Sequence, residues 1–405
     1  LNKLESLLFM LGSSLWWEYF TEWREVISIN DIICSGIGGG LSVGELLYQI
    51  GSYFTQKRGL LNKILGFIFN PIVAINDLLD KDKNKSKIKR TEFCKPHFNL
   101  YFGQKQVSFK GYENSSSQLF NIGMETRFYT IPGYREPGTI NKFIKDTLLS
   151  ELVIDLTFGA NTLEEHSFFT KAVIFGHFIQ KIKQDSYKNL SGYSFFAGVG
   201  SAFDFFKKRA IIYYDEFEYH FDFTGGEEAP QPTEFTDKLA ILNLIGPVFE
   251  LSIYSGQFKF RSSISAYIDF ALLNSMALNE YSIDNDLYEP QLKTTLSHYG
   301  YYYAFGFTFS SDMDLNYKNI QLKGKIKYQY YDSIEGLDRF QDDVEDDCNV
   351  KDTRFMYKIS LGYALSKSPV TIQLAYEHID REGTLKNITH STIEDRIYTR
   401  LQISF

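Results

Sequence analysis

Tyr299-Gly300-Tyr301-Tyr302-Tyr303-Ala304-Phe305-Gly306-Phe307-Thr308-Phe309 carries an aromatic ring at every odd position, and the even positions from Tyr302 to Thr308 are mostly small. A β-strand turns successive side chains to opposite faces, so the stretch predicts a strand with one continuous aromatic face. A row of rings this long would aggregate in water and is at home against acyl chains. The same alternation runs through Phe258–Phe270, Leu322–Tyr330, Phe355–Tyr363 and Val370–Tyr376.

Extending outward from these stretches gives about twelve strand segments, near 93–102, 119–128, 149–158, 170–180, 191–206, 236–251, 255–270, 298–310, 315–331, 353–364, 369–379 and 392–405. An even count fits the antiparallel barrels of bacterial outer membranes. In the C-terminal half the connections at 252–256, 311–314 and 365–368 are tight, whereas those at 271–297, 332–352 and 380–391 are long and polar. Short periplasmic turns alternating with long external loops is the asymmetry of such barrels. The segment 129–148 is long for a turn, and the alternating stretch Ile211–Phe223 reads either as a hairpin beyond the membrane or as another wall strand.

Composition points the same way. Aromatics make up 17% of the 405 residues, led by 36 Phe and 28 Tyr, yet mean hydropathy is −0.22. A barrel reconciles these values, since each strand shows lipid one face and a polar lumen the other. Uncharged apolar runs such as 6–17, 32–44 and 64–76 are too short for a helical span and are broken by Gly, Ser or Asn-Pro. The net charge of −8 argues against a nucleic-acid partner. Cys34, Cys94 and Cys348 are scattered and form no zinc-binding pattern, so neither metal nor cofactor is expected. Export requires a secretory signal, and Leu1–Glu5 does not supply one, so a signal is expected to have preceded Leu1.

Residues 1–90 differ in period. Leu4, Leu7, Leu8 and Leu11, and then Leu46, Leu47 and Ile50, recur at helical spacing, and Lys81–Arg90 is a charged connector. Two regions follow: a helical region and connector at 1–90, and the barrel at 91–405. Gly36, Gly40 and Gly44 form a small-residue stripe for close helix packing and lack the flanking strand and Lys-Ser/Thr of a phosphate loop.

With the aromatic rows placed outward, Lys323, Lys325 and Lys327 point into the lumen, as do Lys358, Arg396 and Arg400. Such a basic wall needs acidic groups, or water with anions, opposite it. Glu18, Glu22, Glu25, Asp31 and Glu45 of the helical region are candidates, which would make that region a lumen plug; a periplasmic position is the alternative. The final strand alternates Tyr398, Arg400 and Gln402 against Leu401, Ile403 and Phe405. A terminal Phe closing such a strand resembles the signal read by the barrel-assembly machinery.

The helical region also resembles a bacterial family known as domain of unknown function 3943. The residues carrying the resemblance are Trp17-Glu18-Tyr19, Ser28-Ile29-Asn30-Asp31, Gly39-Gly40 with Gly44-Glu45, and Asn70-Pro71 with Asn76. The resemblance implies a helical segment followed by an outer-membrane barrel and implies no activity. The expected fold is therefore an all-β transmembrane antiparallel barrel of about 12 strands behind an N-terminal helical region. Two functional classes stay open: a plugged or narrow channel, transporter or structural subunit of an envelope complex, and an enzyme acting on lipid or lipopolysaccharide. A channel needs a continuous polar lumen, and an enzyme needs a Ser/His/acid cluster near one rim. His97, beside Lys95 and Asn99, is the nearest candidate base, without a GxSxG elbow. Expected partners are outer-membrane lipid, the assembly machinery during biogenesis and other envelope proteins.

Overall fold

The computed structural model describes residues 42–56, 59–71, 96–110, 115–160, 162–185, 189–208, 212–213, 234–235, 238–284, 301–334, 349–366 and 368–404, with isolated positions before residue 42 and at Ile75. The motif residues Trp17, Glu18, Asn30, Asp31 and Gly40, the terminal Phe405 and the three cysteines lie outside the described residues.

The strands are β1 (His97–Lys110), β2 (Ser115–Tyr129), β3 (Gly138–Ile144), β4 (Leu149–Phe158), β5 (Leu163–Gln184), β6 (Leu190–Lys208), β7 (Ile212–Tyr213), β8 (Glu234–Phe235), β9 (Lys238–Gly256), β10 (Phe258–Asn274), β11 (Tyr301–Tyr317), β12 (Ile320–Ser333), β13 (Val350–Ala364), β14 (Val370–Leu385) and β15 (Ile388–Ser404). Neighbours pair antiparallel in the order β1-β2-β4-β5-β6-β9-β10-β11-β12-β13-β14-β15. The ring then closes, because β15 returns to β1 from Asn99↔Ser404 to Lys110↔Ile393. It is a closed barrel of 12 wall strands. Closure leaves no unpaired edge, which is the condition for placing backbone in hydrocarbon.

Each expected segment lies in a wall strand for most of its described length, several strands being longer than the alternation suggested; the tight connection expected at 311–314 falls inside β11, and the chain turns at 318–319 instead. The segment 129–148 resolves into an inward loop at 130–137 and β3, which pairs with the far end of β5 beyond β4. The stretch beginning at Ile211 adds no wall strand among the described residues: β7 and β8 pair only with each other. The region 380–391 is a hairpin and not a loop. Here β14 runs to Leu385, β15 starts at Ile388, and the turn residue Lys386 takes φ 51°.

Two rims follow from this topology. The rim bearing His97 and Ser404 has the connections 130–137, 185–189, 257, 318–319 and 365–369; the long connections 209–237, 275–300 and 334–349 join strands at the opposite rim.

Alternation sorts the side chains. Phe305, Phe307 and Phe309 of β11, Ile359 and Leu361 of β13, and Leu374 of β14 stand exposed on the outside. The intervening Ala304, Thr308, Ser360 and Glu377 are buried toward the lumen. From Phe355 to Tyr363 β13 runs for nine residues with every second side chain on the outer face, the length that tilted strands need to cross the hydrocarbon core.

Two helices precede the barrel, α1 (Glu45–Gln56) and α2 (Leu60–Phe69). They form a tight hairpin because glycine lets the backbones approach: a Cβ on Gly66 would stand 2.6 Å from Cγ2 of Thr55. Leu46 and Ile50 of α1 pack with Phe128 of β2 and Leu152 of β4, flanked by Phe98, Met124, Ile154 and Phe168. These wall residues all have outward parity. Phe98 pairs with Thr126, Thr126 with Leu152, and Leu152 with Thr170, while the inward set on the same strands is Glu125, Arg127, Glu151 and Lys171. The hairpin therefore lies on the outer wall. The lumen position expected for the helical region does not hold for α1 and α2, because the face they cover is the one turned away from the lumen. No helix among the described residues is long and apolar enough to cross a membrane.

Candidate functional site

The lumen is the polar face of the barrel, and its side chains form a lattice of ion pairs. Arg396 of β15 sits 2.7 Å from Glu394, 3.4 Å from Glu377 of β14 and 3.6 Å from Glu165 of β5. Lys105 of β1 pairs with the same Glu165 carboxylate. Lys358 of β13 reaches Glu377 at 3.6 Å and stands 4.3 Å from the centroid of the Tyr398 ring. Arg400 pairs with Asp155 of β4 at 3.2 Å while its guanidinium lies 3.9 Å from the Tyr398 ring. Tyr398 also donates its phenol to Glu377.

The cations expected on β12 join the same lattice. Lys327 meets Asp204 of β6 at 2.5 Å, and Lys323 lies 3.9 Å from Glu125 of β2. Lys325 stands over the Phe169 ring at 5.2 Å. The counter-charges of the lattice come from β2, β4, β5, β6, β14 and β15, on the barrel itself. Of the helical-region carboxylates, Glu45 is the one within the described residues, and it accepts bonds from Gln49 at 2.6 Å and Thr147 at 2.7 Å. These bonds dock α1 on the wall where β3 gives way to β4. Gly44 lies immediately before α1, and Asn70 follows α2, its backbone N–H bonding to Gly66, so that Pro71 falls past the end of that helix. At the chain terminus Leu401 and Ile403 face outward and Tyr398 inward.

Toward the rim of short turns the lattice captures a loop. Residues 130–137 fold inward, where Tyr134 stacks on Tyr129 at 4.1 Å. Both phenols donate to Glu250 of β9, at 2.9 Å from Tyr134 and 3.1 Å from Tyr129, and Arg261 of β10 holds the same carboxylate at 2.9 Å. Gln180 of β5 accepts from the Arg135 N–H at 3.0 Å and donates to the carbonyls of Gly133 and Glu136. Ile131, Leu148, Phe178 and Phe196 close around the loop as an apolar layer. At the opposite end a third helix, α3 (Met276–Asp284), packs its Ala277 and Leu278 on Leu273, Tyr302, Val350 and Leu385. Arg381 ties that layer down through Asp352 at 3.0 Å. In between, Asp269 accepts from Asn243, Thr308 and Tyr331.

Among the described residues the histidines are not gathered. His97 contacts Arg135, His177 contacts Asn141, His378 contacts Asp395 and His390 contacts Glu280; none of these pairings brings a serine hydroxyl to the imidazole. The sequence singled out six cations of this lattice, and neither Lys105 and Arg261 nor the barrel's acids were among the residues it named. Asp155, Glu165, Asp204 and Glu250 share the inward parity of their strands, and that parity was the available signal.

A closed antiparallel wall, an apolar belt outside and a polar, charge-paired interior together define an integral β-barrel of the bacterial outer membrane. The rim of short turns is then the periplasmic one. Residues 1–72 match the family model described as Domain of unknown function (DUF3943). No curated protein matches the chain. Among solved structures the chain is similar to the translocator domain of the autotransporter NalP from Neisseria meningitidis, at 7% identity over 84% of this chain and 95% of that one, TM-score 0.24. It is also similar to a Pseudomonas aeruginosa FadL homologue, at 10% identity over 76% of this chain and 89% of that one, TM-score 0.27. A loop-deletion form of OmpT, an outer membrane protein of Vibrio cholerae, aligns at 7% identity over 75% of this chain and 99% of that one, TM-score 0.26. Strand pairing and the apolar exterior carry the assignment, and no activity passes to this chain from these likenesses.

Proposed function

We propose that the protein is a gated channel of the outer membrane, held shut at rest by loop 130–137 at the periplasmic rim. A barrel of this strand number is wider than the eight-stranded kind whose side chains alone fill it. Folded-in segments are therefore what separates a closed lumen from a pore. The observation that carries the reading is Glu250, which holds Tyr134 of the loop while itself neutralised by Arg261. A loop tethered to one carboxylate is released by a local change, without unpairing the wall.

The competing enzyme reading has no carrier in the histidine environments described above. The test is planar-bilayer recording of the full chain. Wild type is expected to show no steady conductance, and Glu250→Gln, which keeps the side chain's shape and removes its charge, is expected to give discrete openings. Steady porin-like currents from wild type, or a folded and inserted Glu250→Gln variant silent at all voltages, would overturn the proposal.

A further inference from the structure

The outer wall under α1 is chemically unlike the rest of the belt. Thr126 on β2, Ser150 on β4 and Thr170 on β5 face outward, and each is almost completely buried, as is the neighbouring Ala172. Without the hairpin these hydroxyls would face acyl chains, at the level where Phe98 and Leu100 of the adjacent strand begin the belt. The other side of the hairpin reverses the pattern. Leu47 and Tyr48 of α1 and Leu60, Ile64, Phe67 and Ile68 of α2 are all exposed. The sequence of α2, LLNKILGFIF, carries one charge, Lys63.

We infer that the α1–α2 hairpin is embedded in the periplasmic leaflet of the outer membrane, with its outer face in phospholipid acyl chains. Large apolar patches on a surface call for an apolar neighbour. Continuity decides which neighbour this is: Leu100 and Phe102 of β1 and Ile122 of β2, beside the hairpin, are exposed and belong to the belt. A helix of 10 residues is about 15 Å long at a rise of about 1.5 Å per residue, about half the hydrocarbon thickness. The hairpin therefore occupies one leaflet and does not span. Lys63, in the first turn of α2, has a stem long enough to bring its ammonium to the headgroups. The apolar belt is in this way carried across the sector by helix, with the hydroxyl-bearing positions of the wall hidden beneath.

The test is nitroxide accessibility on the full chain in phospholipid vesicles. Cys34, Cys94 and Cys348 are replaced by serine, and single labels are placed through Ile64→Cys or Phe67→Cys. Phe307→Cys serves as the lipid-facing control and Asp380→Cys as the aqueous one. Both hairpin labels are expected to match the Phe307 control, with collisions with oxygen exceeding those with a water-soluble nickel complex several-fold. Nickel accessibility equal to that at Asp380 would put the hairpin in water and overturn the inference. Exclusion of both reagents would mean protein covers the face, a second copy if labels on neighbouring chains broaden each other and a segment of the same chain if they do not; either result also overturns it. A labelled variant that fails to fold is replaced by Leu60→Cys or Tyr48→Cys on the same face.

Discussion

Two sectors of one wall solve different problems. Across β11 to β15 the outer face is Phe307, Phe309, Ile359, Leu361, Leu374 and Leu401, all exposed. Across β2, β4 and β5 the same parity carries Thr126, Ser150, Thr170 and Ala172, all buried beneath α1. Strand geometry is common to both, so the difference lies in what each face touches. Lipid accepts any apolar side chain and adapts its shape to it. A helix demands a close fit, and small hydroxyl-bearing residues give the room for it. The uncovered sector is consequently tolerant of shape and intolerant of charge, and the covered sector is intolerant of both.

That contrast sets the order of expected effects. Leu152→Ala removes a buried side chain between wall and helix, where nothing fluid fills the gap; a loss of about 2–5 kcal/mol is expected, read as a lower urea midpoint for refolded protein in vesicles. A loss within error would mean that lipid reaches that face. Ile359→Lys, at the middle of the uncovered belt, is expected to cost about 2–4 kcal/mol, measured the same way; if it is harmless, β13 does not face hydrocarbon. Leu361→Ala, four strand pairs from the covered sector and more than half exposed, is expected to change stability by only about 0.5 kcal/mol, because acyl chains occupy the vacated volume. The ratio of the two leucine truncations is the sharpest reading of the comparison, since the side-chain chemistry is identical and only the neighbour differs.

The same difference explains what the sequence disclosed. Period-two alternation is strongest where one face meets lipid, so the aromatic runs Tyr299–Phe309 and Phe355–Tyr363 were legible at once. It fades where strands leave the membrane. Lys181, Lys183 and Gln184 extend β5, and Asp380 and Glu382 extend β14, beyond any apolar row, which is why 380–391 read as a loop. The basic wall was legible because Lys323, Lys325 and Lys327 share one strand. Its acids were not, because Asp155, Glu165 and Asp204 come together only after closure brings β4, β5 and β6 within reach of β12 and β15. The position of the helices was hidden for a related reason. Thr126, Ser150 and Thr170 lie far apart in sequence and become one polar patch only through register, Thr126 opposite Leu152 and Leu152 opposite Thr170.

One substitution expected to stabilise tests whether the covered sector is built for fit or for hydrogen bonding. Among the described residues, the hydroxyls of Thr126, Ser150 and Thr170 are buried without a hydrogen-bond partner. If those positions serve only to make room for α1, the hydroxyl of Ser150 contributes desolvation cost and nothing in return. Ser150→Ala then leaves α1 seated and raises stability by up to about 1 kcal/mol, visible as a slightly higher urea midpoint. A drop of similar size would mean that the hydroxyl is bonded, with the helix held by polar contacts as well as by Leu46 and Ile50. Ser150→Leu separates the two cases further. It restores the apolar character of the uncovered sector and fills the space α1 needs, so it should weaken the docking of the hairpin even though the wall itself becomes a better surface for lipid.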